Sequence, residues 1–259
     1  MTTDFGCRDY FIGSMKGVLL QQVPSVRLID ITHNIPRHDV ISGAFVINES
    51  FRYFPFGTIH LIVVDPGVGT DRKKIIVSYG NHFFVTPDNG LLTYILKEKE
   101  CRVFEVGEGS LLKFQDSPTF AGRDHFAPIA ACLAKGINPA SLGTEITTGR
   151  QIKKLFPQKK GNHISGNIVY FDHFGNAITN LRRSFIQTNE KNIDDFTVFI
   201  EGQGRGFSTI KKNYKEGQKE KGNLIFNSSG NLEIFVPEGS AKNILNLKIM
   251  NRVQLNILN

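Results

Sequence analysis

The chain has few of the features by which disulfide-rich, zinc-binding and membrane proteins are recognised. Its 259 residues include three widely spaced cysteines and no CxxC pair. Neither a disulfide framework nor a zinc knuckle is therefore indicated, and free thiols in a reducing compartment are expected. No apolar run approaches the roughly 18 residues of a membrane-spanning helix, and the N-terminus lacks the layout of a secretory signal. We expect a soluble, cytoplasmic protein without a membrane partner.

Several common catalytic motifs are also missing. The chain contains no GxGxxG, no P-loop and no GxSxG, and its seven histidines show no metal-ligand spacing such as HExxH. The commonest nucleotide-binding and hydrolase interpretations therefore lose their support, and no metal site is predicted.

The net charge of +7 does not by itself indicate a nucleic-acid partner. Of the 31 basic residues, 11 lie in two short polar stretches, residues 150–160 and 205–221. Such stretches are more often solvated surface, and no aromatic interleaving of the RNA-binding kind accompanies them. We expect no nucleic-acid partner.

Length and composition indicate two globular domains. The chain exceeds the usual domain size of roughly 100 to 200 residues, and 40% hydrophobic and 21% charged residues are ordinary globular usage. The sequence pattern changes near residue 150. We predict an N-terminal α/β domain over residues 1–150, a polar linker over 151–166 and a C-terminal β domain over 167–259.

The N-terminal domain alternates short apolar runs with amphipathic segments, which is typical of βαβ units. Buried strands are predicted at Val26–Ile31 and Ile59–Asp65. Between them, apolar residues recur at helical spacing, namely Val40, Ala44, Ile47, Phe51 and Phe54. Asp39 is placed to cap this helix. Pro128 and Gly136 mark the start and end of a further helix. We expect a Rossmann-like, mainly parallel sheet with flanking helices.

The C-terminal domain shows short apolar runs separated by glycine and asparagine, with no convincing helix. Strands are predicted at Asn167–Phe171, Phe196–Ile200, Leu224–Phe226, Leu232–Val236 and Arg252–Leu258. This spacing predicts a smaller antiparallel β domain.

The leading candidate for a ligand site is a strand-to-loop corner, Val63-Val64-Asp65-Pro66-Gly67-Val68-Gly69. Open α/β folds bind ligands at the carboxyl ends of strands, and glycine permits close approach of backbone to ligand. Asp65 and Arg72 flank the turn, seven residues apart. The alternative is a structural turn closed by a salt bridge, and the corner alone favours neither interpretation.

Other polar clusters allow two interpretations each. Asp4, in the segment TTDFG, would either accept hydrogen bonds from both hydroxyls of a ribose or cap a helix. The segment Pro87–Gly90 is explained by turn chemistry alone. In the second domain, Phe171–Asn176 and Asn227–Gly230 are either ligand contacts or hairpin turns.

Taken together, seven segments resemble the S-adenosyl-L-methionine (SAM) hydrolase family, also called SAM hydroxide adenosyltransferases, which is related to the fluorinase and chlorinase enzymes. The resemblance runs in order over nearly the whole chain, and VDPGVGT followed by PDNGLL is specific. The segments are TTDFG at 2–6, MKGVLL at 15–20, DITHNIPRHDV at 30–40, VVDPGVGTDR at 63–72, PDNGLL at 87–92, GRDHFAP at 122–128 and FDHFGNAITN at 171–180.

The resemblance implies an activity and an assembly. Members of the family hydrolyse SAM to adenosine and L-methionine by attack of water or hydroxide at C5′. SAM is then the small-molecule partner and substrate, no cofactor is needed, and the chain is a homotrimer with its site between subunits. Two alternatives stay open, a halide adenosyltransferase and a protein that binds SAM or adenosine without turnover.

The resemblance also implies roles for individual residues. Asp65 and Arg72 would be catalytic, by orienting or partly deprotonating water, and Asp4 would hold the ribose hydroxyls. Further substrate-binding roles are implied near methionine and C5′ for His38 and Val68, at the methionine amino and carboxylate groups for Asp172 and Ser228, and on the adenine for Phe174 and Asn176. Gly122 and Ser229 are also expected to contact the substrate.

The chain departs from the family pattern at two places. The family has TFHGRD where this chain has TFAGRD, so Ala121 stands in place of a histidine that would hold water. His125 would share a helical face with position 121, although Gly122 predicts a loop, and His125 is otherwise an ordinary helix-start residue. Binding is therefore the safer expectation than turnover. The second departure is Met1, which lies where the first strand should be ending, so that strand is expected to be nearly absent.

Overall fold

The computed structural model describes residues 1–107, 119–189, 196–204 and 206–257, which form two compact units, Met1–Ile152 and Lys153–Asn259. Arg205, the first residue of the second basic stretch, and Leu258, the last of the predicted C-terminal strand, lie outside the described residues. Among the described residues, no helix is both long and apolar enough to cross a membrane.

The N-terminal unit contains a six-stranded sheet and helices of very different length. Its strands are β1 (Thr2–Thr3), β2 (Ile59–Val63), β3 (Lys74–Tyr79), β4 (His82–Pro87), β5 (Arg102–Val106) and β6 (Thr144–Ile146), in the order β1-β2-β4-β3-β5-β6. Its helices are α1 (Phe11–Gln22), α2 (Val40–Ser50), a π-helix (Gly122–Phe126), α3 (Ala127–Ala134) and α4 (Pro139–Leu142).

The expectation of a mainly parallel sheet is wrong, because the sheet is mixed. The pairs β1–β2 and β2–β4 are parallel, whereas β4–β3, β3–β5 and β5–β6 are antiparallel. The cause is a two-residue hairpin at Gly80 and Asn81, which both have positive φ (56° and 61°). Positive φ at both central residues is typical of two-residue hairpin turns whose twist matches that of the strands. Such a turn reverses the chain direction, so β3 and β4 run antiparallel.

The strand predicted at Val26–Ile31 does not form. An isolated bridge between Thr2 and Thr32 and a few backbone hydrogen bonds join this part of the chain to β1, among them Ile31 N to the Met1 carbonyl at 2.8 Å and Thr3 N to the Thr32 carbonyl at 3.0 Å. The physical reason is that β1 is only two residues long, so the edge offers too few partners for a regular ladder. The predicted shortness of the first strand is thus present in the structure.

The two predicted helices do form. Asp39 caps α2 by accepting from Ser42 N at 3.0 Å, and α2 ends at Ser50. Phe54 lies beyond it in extended backbone, as expected before Pro55. Pro128 lies in the first turn of α3, whose end is followed by a glycine with positive φ.

Helices cover both faces of the N-terminal sheet. Leu61 and Val63 of β2 pack in one apolar cluster with α1 and α3, whereas Ile62 and Val64 pack in a second cluster with α2. Successive side chains of the strand thus pack into two different cores on opposite faces of the sheet. This explains why the apolar run of β2 is continuous.

The C-terminal unit has its own apolar cluster and an eight-stranded sheet. Its strands are β7 (Gln158–Lys160), β8 (His163–Phe171), β9 (Ala177–Arg182), β10 (Phe196–Ile200), β11 (Ile210–Lys211), β12 (Asn223–Phe226), β13 (Asn231–Phe235) and β14 (Arg252–Ile257). All pairs are antiparallel except β11–β12. Two short helices, α5 (Arg183–Asn189) and α6 (Ala241–Ile244), were not predicted, because four to seven residues are too few to show helical periodicity.

Candidate functional site

The polar segments of the N-terminal unit meet at one edge of its sheet, which we call the carboxyl edge. Strands β1, β2, β4 and β5 all end there, and the reversed strand β3 begins there, because Lys74 pairs with Pro87 and with Val106. Asp4 follows β1, Asp65 follows β2, and Arg72 precedes β3. One edge therefore collects three of the residues predicted from the sequence.

Asp65 and Arg72 form a largely buried ion pair at this edge. Arg72 Nε donates to both carboxylate oxygens, at 2.6 and 2.7 Å, and its Nη2 also donates to Asp65 Oδ2. The side chains are only 4% and 11% exposed. The guanidinium carbon also lies 5.8 Å from the centroid of the Phe126 ring, in the π-helix. The predicted corner thus contains a salt bridge, as the interpretation of a structural turn expected. The same corner also lies at the strand ends where α/β folds bind ligands.

Glycine shapes the loop between the two charges. Gly69 has a φ of 80°, and Thr70 N donates to the Gly67 carbonyl at 3.1 Å. A Cβ at Gly67 would lie 3.3 Å from Arg72 Cδ and 3.8 Å from Asp65 Oδ1, so the backbone passes directly over the ion pair. Val68, at the tip, is 41% exposed and available for an apolar contact.

Asn89 supports the corner from the next strand. Its Nδ2 donates to the Val64 carbonyl at 2.8 Å, one residue before Asp65. The segment Pro87–Gly90 was explained by turn chemistry alone, yet this side chain ties the end of β4 to the end of β2. Sequence reasoning missed this supporting role, because the bond joins residues 25 positions apart.

Asp4 and His38 are also brought together. Asp4 Oδ2 accepts from the backbone N–H of His38 at 2.8 Å, and His38 has a φ of 64°, which is uncommon for a residue other than glycine. Asp4 Oδ1 accepts no hydrogen bond from any residue that the structure describes. One oxygen of this carboxylate is therefore positioned by the protein and the other is available to a ligand.

Ala121 immediately precedes a π-helix that begins at Gly122, where a loop was predicted. Ala121 is 4% exposed and belongs to the apolar cluster around α1 and α3. Gly122 is also buried, and a Cβ there would lie 3.0 Å from Met15 Sδ and 3.4 Å from Phe5 Cε2. The i→i+5 hydrogen bonding of π-helices widens the turn and occurs frequently at functional sites. Gly122 here permits close packing on the corner that carries Asp4, and its direct contact with substrate stays a prediction.

In the C-terminal unit, three predicted residues line one cavity of about 520 Å³. Asp172 organises its rim, because its carboxylate accepts from Phe174 N at 3.0 Å and from Asn176 N and Nδ2 at 2.8 and 2.9 Å. Gly175 completes the turn with a φ of 82°, where a side chain would collide with Ser240. Asn176 is buried and Phe174 is 74% exposed, so the ring presents an open apolar face beside fixed polar groups.

The opposite wall of this cavity was not predicted. It comprises Tyr214 and the segment 235–239. Tyr214 packs edge-on against Phe235 at 5.0 Å, and its hydroxyl donates to the buried Glu233 at 3.0 Å. Burial and the neighbouring Glu233 raise the pKa of Tyr214 to about 12, and burial raises the pKa of Glu233. The only available signal was a tyrosine within a lysine-rich stretch that was assigned to solvated surface.

Ser228 and Ser229 do not line this cavity. They occupy the exposed turn between β12 and β13, whereas the Asp172 turn lies at the other end of β13, where Ile234 pairs with Ala177. The two turns are therefore separated by the length of β13, roughly 13 Å at 3.3 Å per residue. Asn227 links them, because its Nδ2 donates at 3.2 Å to the same Glu233 that accepts from Tyr214.

Metal ligands are not clustered in the described parts of the chain. No group of three or more histidine, cysteine, aspartate or glutamate side chains is placed there to hold a metal ion. At the carboxyl edge Asp65 is instead paired with Arg72, and Asp4 accepts from the backbone N–H of His38.

Comparisons with known proteins agree with the order of motifs. Residues 1–143 match the model of the SAM hydroxide adenosyltransferase N-terminal domain, and residues 166–254 match that of the C-terminal domain. A (R)-S-adenosyl-L-methionine hydrolase from Thermus thermophilus is 33% identical over 95% of this chain and 94% of its own. A fluorinase from an Actinoplanes species is 26% identical over 71% of this chain and 72% of its own. The crystal structure of an uncharacterised conserved protein from Thermotoga maritima superposes with a TM-score of 0.85, at 31% identity and with 98% of both chains covered.

Proposed function

Because the chain belongs to the SAM hydroxide adenosyltransferase family, we propose that it binds SAM and hydrolyses it to adenosine and L-methionine by attack of water at C5′. The observation that carries this proposal is the buried Asp65–Arg72 pair at the carboxyl edge, next to the half-satisfied carboxylate of Asp4. A purely structural salt bridge would not require a neighbouring carboxylate, that of Asp4, with one oxygen free to accept a hydrogen bond from a ligand.

The proposed reaction is a displacement at carbon. The water oxygen forms a bond to C5′ while the C5′–S bond breaks and its electron pair remains on sulfur, which leaves as the neutral thioether of methionine. No general acid is needed, because the leaving group carries no developing negative charge. The remaining requirement is to orient the water and accept its proton.

Asp65 and Arg72 are suited to that requirement. Asp65 Oδ1 accepts one hydrogen bond from Arg72 and keeps a second lone pair with which to accept from water, whereas Oδ2 accepts two hydrogen bonds from Arg72. Because Arg72 holds the carboxylate through two nitrogens, the direction of this free lone pair is fixed before substrate arrives. Asp4 Oδ1 binds the ribose hydroxyls, and Val68 contacts the apolar part of the substrate near C5′.

The cavity of the C-terminal unit holds the adenine. Phe174 provides an exposed ring for stacking, and Asn176 provides an amide at the rim. Stacking of a base on an aromatic side chain contributes about 1 to 3 kcal/mol. Ser228 and Ser229, beyond the cavity, contact the amino and carboxylate groups of the methionine part of this elongated substrate.

A second candidate function is binding of SAM or adenosine without turnover, and Ala121 favours it. The family histidine is absent at this position, and the side chain there is a buried methyl group that cannot hold water. Both functions share the same binding groups, so only a measurement of product separates them.

The test is incubation of the purified protein with SAM, followed by chromatography for adenosine. Hydrolysis predicts adenosine above the uncatalysed rate in the wild type and loss of that excess in Asp65→Asn. Calorimetric binding of SAM without product supports the binding function. The appearance of 5′-chloro- or 5′-fluoro-5′-deoxyadenosine after addition of halide would instead identify a halide adenosyltransferase.

The resemblance further supports a homotrimer whose site forms between subunits. In such an assembly the Asp65 half-site of one subunit acts with the Phe174 half-site of its neighbour. Mixing two impaired variants, Asp65→Asn and Phe174→Ala, and exchanging subunits should restore part of the activity, because some sites then contain both wild-type halves. A monomer in light scattering, or no recovery on mixing, contradicts this arrangement.

A further inference from the structure

A chain of polar side chains lies behind the Asp4 corner and has no part in the proposed reaction. Thr3 Oγ1 lies 2.9 Å from His33 Nδ1, and His33 Nε2 lies 3.0 Å from Asp30 Oδ1. Asp30 is anchored at its other oxygen by Lys16 Nζ at 2.5 Å. Thr3 is fully buried and His33 is 4% exposed, whereas the Asp30 side chain is 35% exposed. The chain therefore runs from the surface to the buried end of β1.

The protons of this chain have a preferred order. Burial lowers the pKa of His33, so the imidazole is neutral near pH 7 and carries one proton. His33 Nε2 lies within ion-pair distance of Asp30 Oδ1, although the angle is not that of a hydrogen bond. The nearby carboxylate still favours the tautomer with its proton on Nε2. Nδ1 is then an acceptor, and the Thr3 hydroxyl donates to it.

A donating Thr3 hydroxyl keeps its lone pairs for the backbone of the corner. Thr3 Oγ1 accepts from Phe5 N at 3.2 Å, which fixes the peptide group immediately after Asp4. His33 contributes a second tie, because its carbonyl accepts from Gly6 N at 2.7 Å. The turn that carries Asp4 is thus held at Phe5 by the Thr3 hydroxyl and at Gly6 by the His33 carbonyl.

We propose that Asp30, His33 and Thr3 are positioning residues that orient Asp4 toward the two hydroxyls of a ribose, and so set the preference for ribose over deoxyribose. This inference rests on the proposed function, in which Asp4 binds those hydroxyls. Asp4 Oδ2 is occupied by His38 N–H, so only the orientation of the turn decides where Oδ1 points. Among the described residues His33 Nε2 is buried without a hydrogen bond, and this cost argues that the imidazole is retained for that orientation.

The fold of β1 itself does not depend on these side chains. Thr3 N donates to the Thr32 carbonyl at 3.0 Å, and Ile35 N donates to the Thr3 carbonyl at 3.4 Å. These backbone bonds survive any change of the Thr3 side chain. Thr3→Val, which replaces the hydroxyl by a methyl group of similar shape, is therefore the decisive variant, and Thr3→Ser is its matched control.

The experiment compares calorimetric affinities for adenosine and 2′-deoxyadenosine in the wild type, Thr3→Val and Thr3→Ser. We expect the wild type to prefer adenosine, Thr3→Val to lose about 5- to 10-fold of that preference, the effect of one lost hydrogen bond, and Thr3→Ser to retain it. Amide hydrogen exchange at Phe5 should accelerate in Thr3→Val and stay slow in Thr3→Ser.

The outcomes separate this inference from the proposed function. Unchanged preference in a folded Thr3→Val overturns the inference while the proposed function stands. A wild type that binds no adenosine, or does not distinguish it from 2′-deoxyadenosine, overturns the role of Asp4 and the inference with it. If Thr3→Val does not fold, Asp30→Asn at the partly exposed end decides, because about a threefold loss of preference supports the inference and no loss overturns it.

Discussion

Burial of the Asp65–Arg72 pair can be tested by removing one charge without changing shape. Asp65→Asn keeps the side-chain volume and leaves the guanidinium facing a neutral amide. Removing one partner of a buried ion pair costs about 3 to 5 kcal/mol. Arg72 keeps 11% exposure and its contact with Phe126, so we expect the lower end, about 3 kcal/mol. For a domain of this size that corresponds to a melting temperature lower by about 6 to 12 °C.

The chain supplies a matched control for this prediction. Arg102 contacts Glu145 with the same two-pronged geometry, Nε to Oε1 at 3.0 Å and Nη2 to Oε2 at 2.8 Å. Its guanidinium also lies near an aromatic ring, Phe104, at 5.1 Å. The difference is exposure, since these side chains are 60% and 50% exposed. Glu145→Gln should therefore leave the melting temperature unchanged, because exposed pairs contribute little.

Thermal and urea unfolding followed by circular dichroism measure both variants against the wild type. Equal losses in Asp65→Asn and Glu145→Gln would refute the reasoning, since burial would then not distinguish the pairs. A change of less than about 1 kcal/mol in Asp65→Asn would refute it as well, and would show that solvent screens the carboxyl edge.

Three further predictions concern other parts of the chain. Ala121→His should raise the rate of adenosine formation by about 10²-fold and lower stability, since position 121 is buried; an unchanged rate in a folded variant contradicts a role in handling water. Burial, followed by the charge of His82, lowers the pKa of His60 to about 3 from 6.5, so below pH 6.5 the unfolded chain binds a proton that the folded chain does not, and stability falls as pH falls through this window. His60→Phe, which keeps the stacking on Phe84, should remove about 2.5 kcal/mol of the loss between pH 7 and pH 4.5 in urea titrations, and an equally steep loss would count against it. Phe174→Ala should weaken adenosine binding about tenfold in calorimetry without changing stability, because the ring is 74% exposed; unaltered affinity would remove this ring from the site.

The corner at Asp65 was predictable because its signals are local. A β-branched run followed by proline and glycine marks the end of a strand, and the two charges are close in sequence. The direction of the sheet was not predicted, although Gly80-Asn81 carried the hairpin signal between two alternating runs. That error arose because the alternation of strands and helices was given more weight than the signal of the two-residue turn.

Other features depend on contacts that no local pattern records. The link from Asn89 to Val64 and the wall formed by Tyr214 join residues distant in sequence. The π-helix at Gly122–Phe126 differs from an α-helix by one widened turn, which leaves apolar periodicity almost unchanged. Glycine there was interpreted as a loop signal, whereas its cause is close packing against Met15.

The reversal of β3 has a consequence for which lengths of chain can change. Because β2 ends and β3 begins at the same edge, with β4 between them, a single loop carries both Asp65 and Arg72 across about two strand spacings, roughly 10 Å. The number of residues in that loop therefore determines where the two charged side chains lie relative to each other. Insertions and deletions should therefore be excluded from residues 65–72, whereas the hairpin at Gly80 and Asn81, on the opposite edge, can accept them without disturbing either charge.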